Sequence, residues 1–340
     1  MSEPTPHRRR PRYSGKYPRR FSEKYKELDP SKHPDTIAKV LASGKTPAGS
    51  HVPIMVGEIL AALEPKPGEL AVDCTLGHGG HTRELLRKIL PGGRLIGLDA
   101  DPIELPRTEA LLRAEGFGKE EFIARKSNFA GIQAALASIG ADAADVILAD
   151  LGVSSMQLDN PERGFTSKHP GPLDMRMNPA KGMSASTWLE RIAPEAFAEI
   201  LRENSDEPHA QILASQLAGR SFSTTLELAH AIRAALAGRP EVELKKTITR
   251  VFQAVRIEVN EEFAALESLL RALPFCLQPG GRLAILTFHS GEDRRVKKAF
   301  QAARREGIFS EVARDVIRAS SAECRANPRA SSAKLRWARR

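Results

Sequence analysis

Apolar residues change their period several times along the chain, and the changes mark its organisation. Ile54 to Leu63 repeats apolar positions at helical spacing and is stopped by Pro65-Lys66-Pro67-Gly68. A short apolar strand then runs to Asp73 and into a glycine turn, after which Thr82 to Leu90 reads as a helix. Pro91-Gly92-Gly93 is a turn and Arg94 to Leu98 a second strand. Pro106 to Glu115 is helical, Glu121 to Ser127 extended, Ala130 to Ile139 helical, and Asp145 to Asp150 a fourth strand. Strand and helix alternate at the pace of a parallel, doubly wound α/β sheet. After Gln157 the alternation stops for about 90 residues that carry helical patterns at 185–192, 194–203, 208–218 and 226–236 and no convincing strand. A helix over Ile248 to Leu273 and a strand over Leu283 to Phe288 restore it. The expected organisation is a sheet domain over 51–157 and 248–340, interrupted by a helical insertion over 158–247. The first 50 residues, rich in Pro, Arg, Lys and Ser without sustained period, read as a basic disordered tail.

The turn between the first strand and its helix, Asp73-Cys74-Thr75-Leu76-Gly77-His78-Gly79-Gly80-His81, is where ligand chemistry concentrates. Glycines let a backbone take positive φ and approach a ligand closely, and the helix behind them offers free N–H groups. A nicotinamide fingerprint requires a third glycine at position 82, where this chain has Thr82. An acid four positions before the first glycine, Asp73, instead resembles the pattern of enzymes that bind S-adenosylmethionine, with Asp73 available to the ammonium of the amino-acid end. The second strand ends on Asp99, placed to accept hydrogen bonds from ribose hydroxyls. The fourth ends on Asp150, so three carboxylates are expected to converge at one rim of the sheet. Asp150 alone serves equally as a helix cap or as a chemical group.

Other candidates lie in the loop after Gln157 and behind the last strand. Met175 and Met177 read as packing, and Arg176 either pairs with Asp174 or holds a phosphate or base. His289 either accepts a proton or bonds the backbone.

Charge adds a separate clue. The net +9 sits at the ends: residues 1–50 hold 12 Lys+Arg against 5 Asp+Glu, and residues 301–340 hold 10 against 4. Basic ends on a mildly acidic body point to a polyanionic partner. Arg8, Arg9, Arg10, Arg12, Arg19 and Arg20, interleaved with Tyr13, Tyr17 and Phe21, suit nucleic acid, a solubilising tail or an organelle-targeting segment being the alternatives. No apolar run reaches the roughly 20 residues of a membrane helix, and none follows the arginine-rich start to make a secretory signal. Cys74, Cys276 and Cys324 form no Cys-x-x-Cys pair, so neither a zinc site nor a disulfide framework is expected, and a reducing cytoplasm fits.

With Asp-x-x-x-Gly-x-Gly-Gly-His from Asp73, Asp150 to Asp159, Gly-Pro-Leu-Asp-Met-Arg-Met from Gly171, Phe252 to Asn260, Phe288-His289-Ser290 and Asn327 to Ala330 in order, the chain resembles the RsmH (MraW) family. These are bacterial methyltransferases that act on N4 of one cytidine in small-subunit ribosomal RNA. The resemblance covers about His51 to the C-terminus. It implies a class I, Rossmann-like methyltransferase sheet with a helical insertion, S-adenosyl-L-methionine as cofactor, and 16S ribosomal RNA within the small subunit as partner. Cofactor positions carry over onto Gly79, Gly80, His81, Asp99, Phe129, Asp150 and Gln157. Asp150 is the candidate catalytic acceptor, and Asp174, Arg176 and His289 are candidates to touch substrate. The pattern departs from the family at Gly291, where leucine is usual after His-Ser, and in its long basic start. Rival readings are an amino-methyltransferase acting on DNA, disfavoured by Asp150-Leu151-Gly152-Val153 at the fourth strand, and a non-catalytic RNA-binding assembly factor. Oligomeric state is left open, a dimer included.

Overall fold

A computed structural model describes residues 53–340. The basic segment over 1–50 lies outside the described residues. Among the described residues no helix is long and apolar enough to cross a membrane.

The first half follows the expected alternation. Helix α1 (Val56–Leu63) precedes β1 (Leu70–Asp73), α2 (Gly80–Ile89), β2 (Arg94–Asp99), α3 (Glu104–Ala114), β3 (Phe122–Lys126), α4 (Ile132–Ala137) and β4 (Ala144–Asp150). Strands β1 to β4, together with β5 (Leu277–Thr287), form a parallel run in the order β3-β2-β1-β4-β5. Strand direction is set by the crossover helices, and side-chain period two then sends alternate residues to opposite faces. Val72, Ile96, Ile147 and Ile285 pack on one face with α4, with α11 (Glu262–Cys276) and with α12 (Ser290–Arg305). Their neighbours Ala71, Leu95, Val146 and Ala284 pack on the other with α1, α2 and α3. Burial on both faces explains why these strands read as apolar runs rather than alternations.

A third core belongs to the inserted helices α6 (Ala185–Arg191), α7 (Pro194–Ser205), α8 (Ala210–Leu217), α9 (Thr225–Ala235) and α10 (Glu241–Val259), which follow the short α5 (Ser155–Asp159). Local signals start them where expected. Ser184 caps α6 by accepting from the Thr187 amide, Pro194 opens α7, and Thr224 caps α9.

Three features differ from the sequence expectation. The single helix expected over Ile248 to Leu273 is two, because Glu261 takes a left-handed φ of 51° between α10 and α11. Neither glycine nor proline marks that break; the Asn260 side chain supplies it, donating to the Arg256 and Met175 carbonyls and accepting from the Met177 amide. The boundary expected at 247 falls inside α10, whose Leu244, Val251 and Val255 all lie in the third core. The sheet also continues beyond β5 into two unexpected antiparallel strands. These are β6 (Glu311–Val312) and β7 (Lys334–Arg339), and β7 lies between β5 and β6. Between them lies helix α13 (Ser321–Ala326).

Basic residues of β7 had read as part of a polyanion-binding end. The buried Arg336 guanidinium instead meets Asp293 of α12 at 2.7 Å, and Arg339 pairs with Glu64. Replacing Asp293 with Ala strands Arg336 in a site that is 7% exposed. The expected loss is about 3 kcal/mol in denaturant unfolding, the lower end for a buried pair stripped of one partner, whereas Glu64→Ala at the surface costs under about 1 kcal/mol.

Candidate active site

Because β2, β1 and β4 are neighbours, their carboxyl ends bring Asp99, Asp73 and Asp150 to one rim, as the sequence led us to expect. Their roles differ sharply. Asp73 is 1% exposed and wholly engaged by its own turn. One oxygen accepts from the Thr75 amide and hydroxyl, and the other from the Thr82 hydroxyl at 2.6 Å. The Asp73 carboxylate therefore shapes the glycine turn from beneath and is not presented to an ammonium. Thr75 passes the constraint on, since its hydroxyl accepts from the Asp150 amide at 2.6 Å.

Asp99 is partly open and organises the turn from the other side. Its two oxygens accept from the Gly77 and Asp101 amides at 2.9 and 2.8 Å. Burial pushes its carboxyl up to about 6, against the pull of those two amides and with help from the nearby Asp101 and Asp73 charges. Gly77 and Gly79 have φ of 48° and 69°, which side chains rarely adopt. A Cβ on Gly79 would also press on Thr108 and Leu112 at 3.1 Å, and one on Gly80 on the Pro53 ring at 3.1 Å.

Asp150 ends β4 with its Oδ2 3.5 Å from His81 Nδ1, while its Oδ1 is shut from solvent with no hydrogen-bond partner. Burial pushes this carboxyl up to about 6; His81 draws it down, and Asp73 and Glu292 push it further up. Phe129 opens a short 3-10 turn capped by Asn128 and packs against the core of that sheet face.

Gln157 faces inward. Its Oε1 accepts from the Ser154 amide and its Nε2 donates to Asp101 Oδ2 at 2.9 Å. The same Asp101 oxygen receives Arg163 Nη1 at 2.8 Å, and Arg163 Nη2 donates to the Arg176 and Met177 carbonyls. Sequence reasoning missed both Asp101 and Arg163. The only available signals were a second acid beyond Asp99 and an arginine in a loop. Together they fasten the segment Gly171 to Met177 beside the strand ends, with Asn260 gripping it from the other side. Arg176 and Asp174 form a two-bond pair at 2.9 and 2.7 Å, so this guanidinium is already engaged within its loop.

Behind β5, His289 Nε2 lies 3.2 Å from Glu292 Oε1, and Glu292 Oε2 accepts from the Phe288 amide. Gly291 is explained by its neighbours: a Cβ there would sit 2.7 Å from Phe263 Cζ and 3.2 Å from His289 Nδ1. Phe263 fills the space and carries the Arg295 guanidinium 3.6 Å above its ring.

A doubly wound sheet with order 3-2-1-4-5, a glycine turn after β1 and carboxylates on β2 and β4 defines a nucleotide-type α/β protein. Its chain belongs to the MraW methylase family, whose profile matches residues 48–340. It is 49% identical to ribosomal RNA small subunit methyltransferase H 1 of Agathobacter rectalis, over 99% of both chains. Identity is also 49% to the protein of the same name from Lachnoclostridium phytofermentans, over 98% of this chain and 93% of that one. A shorter relative, ribosomal RNA small subunit methyltransferase H of Syntrophotalea carbinolica, is 40% identical over 85% of this chain and 98% of its own. Similarity to the first two thus extends through nearly all of the long basic start.

Arg163→Met leaves the buried Asp101 with an uncompensated charge. An unfolding loss of about 3 kcal/mol is expected, with hydrogen exchange at the Met177 amide accelerated more than at Ile147. Gly291→Leu alone is expected to cost about 1–3 kcal/mol by overpacking. Combining it with Phe263→Ala restores part of that loss, so a double-mutant cycle reads a favourable coupling.

Proposed function

We propose that the protein transfers a methyl group from S-adenosyl-L-methionine to the exocyclic N4 of a cytidine in small-subunit (16S) ribosomal RNA, with Asp150 as the acceptor at the reacting nitrogen. Membership of a methylase family and relatives named as small-subunit ribosomal RNA methyltransferases support the reaction class. The observation that carries the residue assignment is the Asp150 carboxylate, which ends β4 at the edge of the sheet with its side chain 27% exposed and with one oxygen that no group in the protein donates to.

Residues at the rim fit the cofactor. The glycine turn admits close backbone approach at Gly79 and Gly80, and each oxygen of Asp99 retains a lone pair for a ribose hydroxyl beyond the amide it already holds. Phe129 offers an apolar wall to an adenine ring. His81 and Gln157 brace the pocket by fixing Asp150 and Asp101. When bound, S-adenosyl-L-methionine supplies an electrophilic methyl group on a cationic sulfur, which leaves with the carbon–sulfur electron pair.

A cytidine amine is a poor nucleophile because its lone pair is delocalised into the ring. The Asp150 carboxylate accepts a hydrogen bond from that N–H and so turns the lone pair toward the methyl. The proton becomes acidic as the new nitrogen–carbon bond forms, and the carboxylate receives it. The carbonyls of Leu151 to Val153 supply further acceptors along the same edge. The inserted helical domain and its fastened loop cover the crevice in which an unpaired, flipped base is held, and His289 with Asp174 and Arg176 are its candidate contacts.

The test is incubation with labelled cofactor and unmodified small ribosomal subunits, followed by nucleoside mass spectrometry. N4-methylated cytidine is expected. Labelled DNA, or cofactor binding without label on RNA, would support the rival readings instead. Asp150→Asn should lower kcat, read at saturating cofactor, at least 100-fold. In the wild type, kcat falls as pH drops through about 6, where Asp150 becomes protonated and can no longer take the proton of the amine. A flat profile between pH 5 and 7 would oppose the assignment.

A further inference from the structure

His81 is placed as a family cofactor position, yet its ring makes two contacts within the protein that together fix where protons sit. Nε2 lies 2.9 Å from the Ile54 carbonyl oxygen. A carbonyl only accepts, so Nε2 carries a hydrogen and donates it. Nδ1 then faces Asp150 Oδ2 at 3.5 Å. In the neutral Nε2–H ring, Nδ1 is a bare lone pair, and against an ionised carboxylate two lone pairs would oppose each other in a site where the ring is 8% exposed. At 3.5 Å the juxtaposition is favourable as a charge pair when Nδ1 is protonated.

We propose that His81 is a positioning residue for Asp150: its Nδ1 faces Oδ2, orients the carboxylate and, when it carries a proton, holds the carboxylate ionised for the substrate amine. This inference rests on the assignment of Asp150 to the reacting nitrogen. The pair is insulated from competing cations. The other charged groups acting on Asp150 are Asp73 of β1, occupied by Thr75 and Thr82, and Glu292 of α12, which faces His289 and Arg256. Both are negative, so His81 is the group among them that stabilises the ionised carboxylate. The Ile54 carbonyl fixes the ring's tautomer, an outer contact of the kind that sets which nitrogen faces a reacting group.

The arrangement also gives the proton released by the amine a defined destination. The Asp150 carboxylate takes it. No further acid, base or reductant is required.

The experiment follows the Asp150 carboxyl by carbon-13 NMR in the full chain labelled at aspartate, its signal assigned by loss in Asp150→Asn, and compares two variants. His81→Phe keeps ring volume without charge or donor, and His81→Asn keeps a donor at the Nδ1 position without charge. Removing the positive partner is expected to raise the Asp150 midpoint by about one pH unit in both, with the acid limb of kcat moving by the same amount. Nitrogen-15 spectra of wild-type histidine should show Nε2 protonated throughout. If the carboxyl midpoint and the limb stay in place in a folded variant, whatever happens to the rate, His81 merely braces the Ile54 segment and the proposal fails. Should Asp150→Asn retain turnover, the assignment of Asp150 fails instead. The carboxyl titration, read without cofactor or RNA, still reports on the His81 contact by itself.

Discussion

A carboxylate sealed from water must be matched by donors, and Asp101, 1% exposed, is matched by four. The Ile103 and Glu104 amides at the start of α3 serve one oxygen; Gln157 and Arg163 serve the other. An isolated buried charge is costly enough that these partners cannot drift apart without destabilising the fold. The Asp101 amide is itself held by Asp99, whose second oxygen holds Gly77. A continuous chain of polar contacts therefore runs from the glycine turn, through the end of β2, to Arg163 and the carbonyls of Arg176 and Met177. Ligand-binding edge and inserted loop are parts of one network rather than neighbours that happen to touch.

Much of that architecture is visible in the sequence because burial on both faces of a parallel sheet writes apolar runs, and because helix starts carry their caps. Strands β1 to β4 and helices α6 to α9 lie within a few residues of where periodicity puts them. What was illegible had no local signal. The break at Glu261 depends on Asn260 reaching the Met175 carbonyl, 85 positions away in the chain. Strand β7 is hidden by its own composition, since Lys334-Leu335-Arg336-Trp337-Ala338-Arg339 looks like a basic tail until Asp293 is found opposite Arg336. Charge patterning counts residues; it does not see which cations are already paired.

The site shows the same division. Motif reasoning found residues that gather correctly at the rim, but could not tell which face a ligand. Asp73 and Gln157 have their polar groups consumed by the fold, while Asp99 and Asp150 keep acceptor capacity. Gly171 to Met177 and Phe252 to Asn260, two separate motifs in the chain, become one object once Asn260 is seen bonded to Met175 and Met177.

Three carboxylates on adjacent strand ends repel one another, and the way that repulsion is resolved decides what the edge can do. Asp73 is neutralised in effect by hydroxyl and amide donors, Asp99 by two amides, and Asp150 by an imidazole alone. Amide donors cannot move, so Asp73 and Asp99 hold fixed geometry. An imidazole can carry a proton and with it a charge, so Asp150 alone of the three faces a ring whose charge can change. Burial lifts Asp99 and Asp150 alike to about 6. The asymmetry among three chemically identical side chains thus arises from their donors, and the donors are dictated by the turn, helix and strand that each carboxylate terminates.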